Sequence, residues 1–411
     1  MKKIRILVPV IACLALCSFI LGCGSVTGGG GGGGGGSSGP SLLYVSTTGS
    51  DDAGTGTAES PYRTIQKGLL EIGANGLVSV DAGTYTENVT WPATANVTLR
   101  GASFETVILD GNHIGRCISI ETNPANLENA WIENITIKNG KMTSGPTGHG
   151  GAGINSRADN LDIHLNNVIV TDCSIESTGT ALFGGGIFIN GSDGDYKNEI
   201  LEAVNCRIIN NHSSSHESGS AGISITGILF LSSCEVSGNI TSGYWGGIRL
   251  LGYGRIENCI IANNRCAHWG AGIYLQEDGT VEVVNCTITT NETGDVGGGL
   301  YSKCRMTKLI NTIIWNNGAA SATTESIYLG PGYTNVAFKV DYCDISGGSP
   351  VSGTGNVDTD PVFISDTDFH LSGSPISVTE GATTEAAPSC DYDGVTRTPP
   401  YSMGAYEKVT L

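Results

Sequence analysis

Aromatic and basic side chains recur at one position of this chain, two residues beyond short glycine-rich turns. Arg249, Tyr274 and Tyr301 each follow a glycine by two positions, and Lys303 stands two residues further on. On a flat sheet such rings offer apolar faces to sugars, while basic and amide groups bond to hydroxyls. The candidate polysaccharide-binding residues are Phe188, Trp245, Trp269, Tyr274 and Tyr301.

The same rings also have a purely structural explanation. Trp245 and Trp269 lie just before the glycines, in loops long enough to fold over the following strands. The rings could therefore pack beneath these loops, and no ligand would then touch them. The sequence leaves both interpretations open.

The element that must position these residues is a repeat, exemplified by the stretch 281–301. A strand-like alternation meets Asn285 and Cys286, a polar loop follows, and a glycine run leads into Leu300. Equivalent cysteines stand at 206, 234, 259 and 286, spaced by 28, 25 and 27 residues. A period in this range is typical of a solenoid, whose units cannot bury their apolar faces alone.

One unit can be divided into three short strands, and alternation decides which side chains point inward. In the unit 272–298, the inward set is Ile273, Leu275, Val281, Val283, Cys286 and Ile288. Asparagine suits the tight corner because it tolerates a left-handed backbone and can bond to the asparagine of the next rung. The pattern predicts one ladder at Asn134, Asn167, Asn205, Asn258, Asn285 and Asn311, and another at Asn139, Asn211, Asn239, Asn264, Asn291 and Asn317.

The cysteine column is interpreted as buried thiols that act as small apolar groups. One rung's separation lies within the Cα range of a disulfide, so bridging between neighbours stays an alternative. No Cys-x-x-Cys pair occurs and no histidine joins the column, which disfavours a metal site.

Composition agrees with a turn-rich chain. Among 411 residues there are 61 glycines, and only 15% are charged, so long helices are not expected. The net charge of −18 argues against nucleic acid or an anionic membrane surface as a partner. We expect a monomer without a nucleic-acid partner.

The N-terminus has the features of an export signal. Three basic residues precede the apolar stretch 6–21, which ends at Gly22 and Cys23. This end resembles the lipobox of bacterial lipoproteins, which implies cleavage before Cys23 and lipidation of its thiol. Gly24 follows, so the resemblance implies the outer membrane, at the cell surface or its periplasmic face; an ordinary secretory signal is the alternative. The glycine run 28–36 would be a flexible tether.

Two segments resemble known bacterial proteins. The segment 44–85, with Gly49-Ser50-Asp51 and Ala82-Gly83-Thr84-Tyr85, resembles the opening module of pectate-lyase-like right-handed parallel β-helix proteins. The segment 358–407, with Asp391-Tyr392-Asp393-Gly394, resembles the closing segment of choice-of-anchor Q domain proteins. Between Ser60 and Gly73, an amphipathic helix would cap the first rung.

The expected fold is all-β, a right-handed parallel β-helix solenoid with a short N-terminal capping helix. The expected divisions are a signal peptide at 1–22, a tether at 23–40, a cap with first rungs at 41–94, the β-helix at 95–346 and a capping tail at 347–411. In the tail, Phe363, Phe369 and Leu371 should cover the open core of the last rung, and Arg397 should pair with Asp391 or Asp393.

Three functions are compatible with this fold. One is a surface lipoprotein that binds polysaccharide without catalysis, and another is a passive structural surface protein. The remaining one, implied by the pectate-lyase-like resemblance, is a lyase in which carboxylate-bound Ca²⁺ and a basic residue assist proton abstraction. Its candidate bases are Arg249 and Lys303, and its candidate metal ligands are Asp193, Asp195, Glu277 and Asp278. Fold alone does not choose among the three.

Overall fold

The computed structural model is a right-handed parallel β-helix, as the repeat predicts. Every strand-to-strand ladder in the described part of the chain is parallel, and each joins equivalent residues of successive rungs. The structure describes residues 39–121, 128–145, 149–177, 182–191, 198–214, 219–276, 279–319, 326–330, 337–373, 375–384 and 387–407.

Three stacks of parallel strands form the walls, named here the first, second and third sheets in the order of the repeat. The first sheet contains Val89–Thr90, Ile118–Ile120, Ile154–Ser156, Ile187–Asn190, Ile273–Gln276, Leu300–Ser302 and Ile327–Leu329. The second contains Leu42–Val45, Leu77–Val80, Val97–Gly101, Ile200–Val204, Thr280–Val284, Met306–Ile310 and Ala337–Asp341. The third contains Gly83–Thr86, Val107–Asp110, Arg207–Ile209, Glu235–Ser237, Ile260–Ala262, Thr287–Thr289, Ile313–Trp315 and Asp344–Ile345.

Four ten-residue strands run through a corner and belong to two sheets each. Ile223–Ser232 and Ile248–Glu257 pass from the first to the second sheet, whereas Asn129–Lys138 and Asp162–Thr171 pass from the second to the third. The return loops carry a fourth, narrow stack that the sequence does not predict. It consists of Lys141–Met142, Ser174–Ile175, His212–Ser213, Ile240–Thr241, Arg265–Cys266 and Glu292–Thr293.

Stacked aliphatic side chains fill the interior, and asparagines form the corners. Asn205, Asn258 and Asn285 have φ values of 54°, 52° and 48°, the left-handed conformation expected of the corner ladder. In the second ladder each amide donates to the next rung, for example from Asn264 Nδ2 to Asn291 Oδ1 at 2.9 Å. Asn139 is not part of that ladder and instead donates to Asp110, so its assignment was wrong.

The cysteine column lies inside the core as free, buried thiols. The Cys286 thiol donates to the carbonyl of Val284 and accepts the N–H of Cys259 from the preceding rung. Burial and hydrogen bonding to Cys234 and Cys286 raise the pKa of Cys259. These thiols therefore act as part of the scaffold, in contact with their own column.

A helix covers the first rung, as expected, but it begins later than Ser60. It spans Ile65–Glu71, because Thr64 caps it by accepting the N–H of Lys67. The Glu87 carboxylate accepts the next two free N–H groups, those of Ile65 and Gln66, at 2.8 and 2.9 Å. A second, short helix spans Ile376–Thr379 in the tail.

The tail does not lie where the sequence suggested. Phe363, Phe369 and Leu371 pack on the outer face of the third sheet, against Ile260 and Ile313, rather than on the open core. The end is instead covered by the segment 351–357: Asn356 donates to Val340 and accepts the N–H of Cys343, while Val351 packs on the core. The expected placement fails because a β-helix has an outer wall as well as an open end, and both can bury apolar side chains.

Hydrogen bonds from the corner asparagines fix the tail against three rungs. Asn258, Asn285 and Asn311 donate to the carbonyls of Cys390, Ser402 and Thr383. Arg397 pairs with Glu407 at 2.6 Å, not with either aspartate as expected. Asp391 is engaged elsewhere, since it accepts the N–H groups of Asp393, Val395 and Glu407. The tail is thus an integral outer layer of the β-helix.

Candidate functional site

The first sheet brings the predicted candidates into one column. Parallel register places Phe188 beside Ser224, Ser224 beside Arg249, and Arg249 beside Tyr274. The column continues through Tyr301 to Tyr328. Residues that are 25 to 36 positions apart in the chain are therefore nearest neighbours, because one turn of the solenoid separates them.

Rings from the return loops lie over this column and form a continuous aromatic stack. Trp245 contacts Tyr274 with ring centroids 5.0 Å apart, and Trp269 stacks on Tyr301 at 5.8 Å and 19°. Tyr274 and Tyr301 stack on each other at 5.1 Å. We call the whole set the aromatic ridge: Phe183, Phe188, Tyr244, Trp245, His268, Trp269, Tyr274, Tyr301 and Tyr328.

Two cations lie on the aromatic ridge. The Arg249 guanidinium is 4.7 Å from the Trp245 ring centroid and 4.9 Å from that of Phe183, and it donates to Ser224. The Lys303 amine lies 5.2 Å from Trp269 and 5.3 Å from Tyr301. Among the described carboxylates, none forms an ion pair with Lys303. Cation–π contacts of this kind hold the charges at defined positions on the surface.

The ridge has a buried layer and an accessible layer. Phe188, Tyr274 and Tyr301 are each only 2% exposed, so the packing alternative describes these three rings. Trp245 and Trp269 are half-buried, as are Arg249 and Lys303. The accessible candidates are therefore the loop tryptophans with the two cations, supported by the column beneath them.

Sequence reasoning missed two members of the accessible layer. Tyr244 and His268 have ring centroids 4.4 Å apart. Tyr244 also meets Trp269 edge-on at 5.0 Å. The available signal was their position, since each directly precedes a predicted tryptophan.

Hydrogen bonds and burial set the chemistry of the ridge. The Trp269 indole donates to Asp295 Oδ2 at 2.6 Å, which fixes the orientation of its ring. Burial, Tyr328 and Asp295 raise the pKa of Tyr301 to about 12, so this phenol is neutral and can donate. The ridge therefore combines fixed rings, hydroxyl groups and two cations on one wall of the β-helix.

Among the described residues there is no set of side chains that could bind Ca²⁺. Asp193, Asp195, Glu277 and Asp278 lie outside the described part of the chain, as does Cys23. Within the described ranges no group of three His, Cys, Asp or Glu side chains could hold a metal. Asp295, which lies beside the ridge, is occupied by the Trp269 indole. The proposed roles of Arg249 and Lys303 as lyase bases stay untested predictions.

Comparisons with known proteins concern the fold. No family model matches the chain, and no curated protein matches it. Among solved structures it is similar to pectate lyase Pel9A, with 11% identity, 90% of this chain and 96% of that one covered, and a TM-score of 0.49. For the complex of XylC with xylose the identity is 10%, with 89% of this chain and 99% of that one covered and a TM-score of 0.44. For a rhamnogalacturonan lyase the identity is 14%, with 79% of this chain and 91% of that one covered and a TM-score of 0.34. The fold of this chain is a right-handed parallel β-helix, and its likeness to these structures concerns the course of the chain alone.

Among the described residues, no helix is long and apolar enough to cross a membrane.

Proposed function

We propose that this protein binds a polysaccharide on the accessible layer of the aromatic ridge. The observation that carries the proposal is the pair of cations held on tryptophan faces, Arg249 on Trp245 and Lys303 on Trp269. Aromatic faces pack against the C–H faces of sugar rings, and fixed donors bond to the polar groups around them.

The geometry favours a ligand that runs parallel to the solenoid axis. Trp245 and Trp269 belong to successive rungs, since Trp245 N–H donates to the Trp269 carbonyl. Rungs are about 4.8 Å apart, so neighbouring platforms repeat on the scale of successive sugar units. A polymer can therefore contact several rungs at once, which multiplies weak single contacts.

The charge of the ridge favours a glycan that carries carboxylate groups. Arg249 and Lys303 are positive, whereas the chain as a whole has a net charge of −18. An acidic glycan would be repelled by most of the surface and attracted by the ridge, which gives selectivity for this site.

Alanine substitution of the loop tryptophans tests the proposal. We expect Trp245→Ala and Trp269→Ala each to weaken binding of polygalacturonate oligomers by roughly tenfold or more. Tyr253→Ala is the matched control, because Tyr253 is also half-buried but lies on the second sheet. Titration calorimetry and a glycan array provide the measurement. Equal binding by wild type and both tryptophan variants would contradict the proposal.

The same samples separate binding from lyase activity. With Ca²⁺ present, a lyase would release unsaturated uronates, which absorb in the ultraviolet. We propose binding without turnover, so the absorbance should stay constant while the oligomer is bound. A steady rise that Lys303→Met abolishes would replace this proposal with the lyase.

We further propose that a lipid on Cys23 holds the β-helix at the outer membrane. The support is the sequence before Cys23 and the glycine run after it. Metabolic labelling with a fatty acid and membrane fractionation test this. Cys23→Ala should lose the label and leave the membrane fraction; a labelled or still membrane-bound variant would contradict the anchor.

A further inference from the structure

A second surface with the chemistry of a sugar site lies on the second sheet. Register places Thr98, Trp131 and His164 in one outward column on successive rungs. Beside Trp131 there is an open hollow of about 320 Å³, lined by Asn75, Asn96, Thr98, Trp131 and Glu133. It lies on a different wall from the aromatic ridge and shares no residue with it.

The tryptophan presents one free ring face to this hollow. His164, from the following rung, stacks on Trp131 with centroids 5.2 Å apart and planes at 12°. Thr98 and Asn96, from the preceding rung, line the opposite side. Because His164 covers one face of the indole, the face toward Thr98 is the one that borders the hollow. Thr98 is small and so leaves space beside the indole that a larger side chain would fill.

A hydrogen-bond chain orders the polar wall. Glu202 bonds to His164 Nδ1 at 2.8 Å, and His164 Nε2 lies 3.1 Å from Asn129 Oδ1. Asn129 donates to Asn96, and Asn96 donates to Asn75, both at 3.0 Å. The hydrogen bond from His164 lowers the pKa of Glu202, so this carboxylate stays charged and anchors the chain. Fixed amides lose little conformational entropy when a ligand binds.

The other side of the hollow is polar but electrically balanced. Glu133 accepts a hydrogen bond from Arg100 Nε at 2.5 Å, so its charge is compensated. A paired carboxylate retains acceptor sites for hydroxyl groups. Among the described residues that line the hollow there is no cation comparable to Lys303 on the ridge, which disfavours an acidic ligand.

We infer that this hollow binds one pyranose ring of a neutral glycan, with its C–H face on Trp131 and its hydroxyls on Asn75, Asn96 and Glu133. An aromatic face next to ordered amides and a carboxylate supplies both the apolar and the hydrogen-bonding contacts that a sugar requires. The inference does not depend on the function proposed for the aromatic ridge.

Calorimetric titration of the full chain with cellohexaose, xylohexaose and mannohexaose tests the inference. We expect at least one of them to bind, and Trp131→Ala to weaken that binding roughly tenfold. Thr98→Tyr is the second variant: it keeps Trp131 and fills the hollow, so it should abolish binding even if Trp131→Ala is poorly folded. Saturation-transfer NMR should show the strongest transfer to the sugar's ring C–H protons.

Two controls separate this site from the ridge. Phe230→Ala alters a half-buried aromatic residue of the same column, two rungs beyond His164. It should leave binding of the neutral hexasaccharide within about twofold of wild type, as should Trp245→Ala. Absence of binding by all three hexasaccharides, or wild-type affinity in Thr98→Tyr, would overturn the inference. If the wild type binds a neutral hexasaccharide but no polygalacturonate, the function proposed for the ridge is refuted and this inference stands.

Discussion

The first and third sheets are built from the same repeat, yet their outer faces are covered in different ways. On the third sheet the tail covers the wall, with Phe369 on Ile260 and Leu371 on Ile313. On the first sheet the cover comes from the return loops, whose Trp245 and Trp269 lie on Tyr274 and Tyr301. In the described part of the chain, one wall is covered by a distant segment and the other by its own return loops.

This difference separates a face whose polar groups are used within the protein from the face that we propose binds a ligand. Under the tail, polar groups are engaged within the protein: Asn258 bonds to both Cys390 and Arg397, and Thr287 accepts the N–H of Ala405. On the ridge, the half-buried outer layer keeps two cations and several ring edges at the surface. Hydrogen bonds formed within the protein stabilise the fold, whereas accessible hydrogen-bond donors can bind a ligand.

The largest effect should come from breaking the buried tie between tail and wall. Arg397 is fully buried; it pairs with Glu407 and donates to Asn258 and to the carbonyls of Gly404 and Ala405. Arg397→Met leaves the buried Glu407 uncompensated, so we expect the free energy of unfolding to fall by about 3–5 kcal/mol. Urea unfolding measures the loss, and hydrogen exchange should show that it begins in the tail.

Arg265→Met is the matched control for that prediction. Its side chain is 63% exposed and pairs with Glu292 on the surface, so its cost should be about 0–1 kcal/mol. Equal costs for the two variants would mean that the tail contributes no more to stability than a surface ion pair. The covering of the third sheet by the tail would then not be what stabilises this wall.

The next effect concerns a buried carboxyl group under the tail. Burial raises the pKa of Asp344 to about 7, with Asp358 and Asp360 contributing in the same direction. Asp344 accepts the N–H of Thr359 through one oxygen, and its other oxygen has no partner among the described residues. A raised native pKa means that stability is lost as pH rises from about 4 through 7.

Asp344→Asn should remove that loss while keeping the acceptor for Thr359. We expect the variant to exceed wild type by on the order of 2 kcal/mol at about pH 8, and to match it at about pH 4. Thermal unfolding across this range measures the difference. A constant difference at all pH values would show that packing, rather than titration, governs this position.

On the ridge, removing one cation should lower the affinity for a ligand without lowering the stability of the fold. Lys303→Met keeps the length of the side chain but not its charge, so affinity for polygalacturonate oligomers should fall about tenfold and depend less on salt. Lys339→Met, on the second sheet, is the control and should bind as wild type does. If salt affects the Lys303 variant and wild type equally, the charge has no part in binding.

The smallest effect should come from a histidine that joins two parts of the tail. His370 bonds to Asp368 at 2.5 Å and to Asp393 at 2.8 Å, and its ring stacks on Tyr406 at 3.8 Å. Burial alone would lower the pKa of His370, but these two carboxylates raise it, and the histidine lowers that of Asp368. The contact is complete below the ordinary histidine pKa and is lost as pH rises through the raised value; it is also lost in acid, as Asp368 becomes protonated.

His370→Phe keeps the ring stack and removes both hydrogen bonds. Because the aspartates are largely exposed, the difference from wild type should be below about 1 kcal/mol and largest near about pH 5–6. Hydrogen exchange of residues 389–397 measures it. A difference that persists unchanged at high pH would indicate that ring packing alone decides the effect.

Much of the scaffold could be predicted from local residue patterns. Alternation identified inward residues such as Ile273 and Leu275, and the corner at Asn285 follows from its tolerance of a left-handed backbone. The column of Tyr274 and Tyr301 follows from the period alone. These features depend on contacts between residues one turn of the solenoid apart, and the period of the repeat shows which residues those are.

The tertiary structure decided what lies on each wall. Arg397 donates to Glu407, ten residues further on, and also to Asn258, which precedes it by 139 positions, and no period links these residues. Trp131 likewise gains its hollow only because Thr98 and Asn96 belong to the preceding rung. The sequence by itself determined the repeating interior, since backbone geometry and alternation recur in every rung; the outer layers are nonrepeating contacts between distant segments, which only the folded chain brings together.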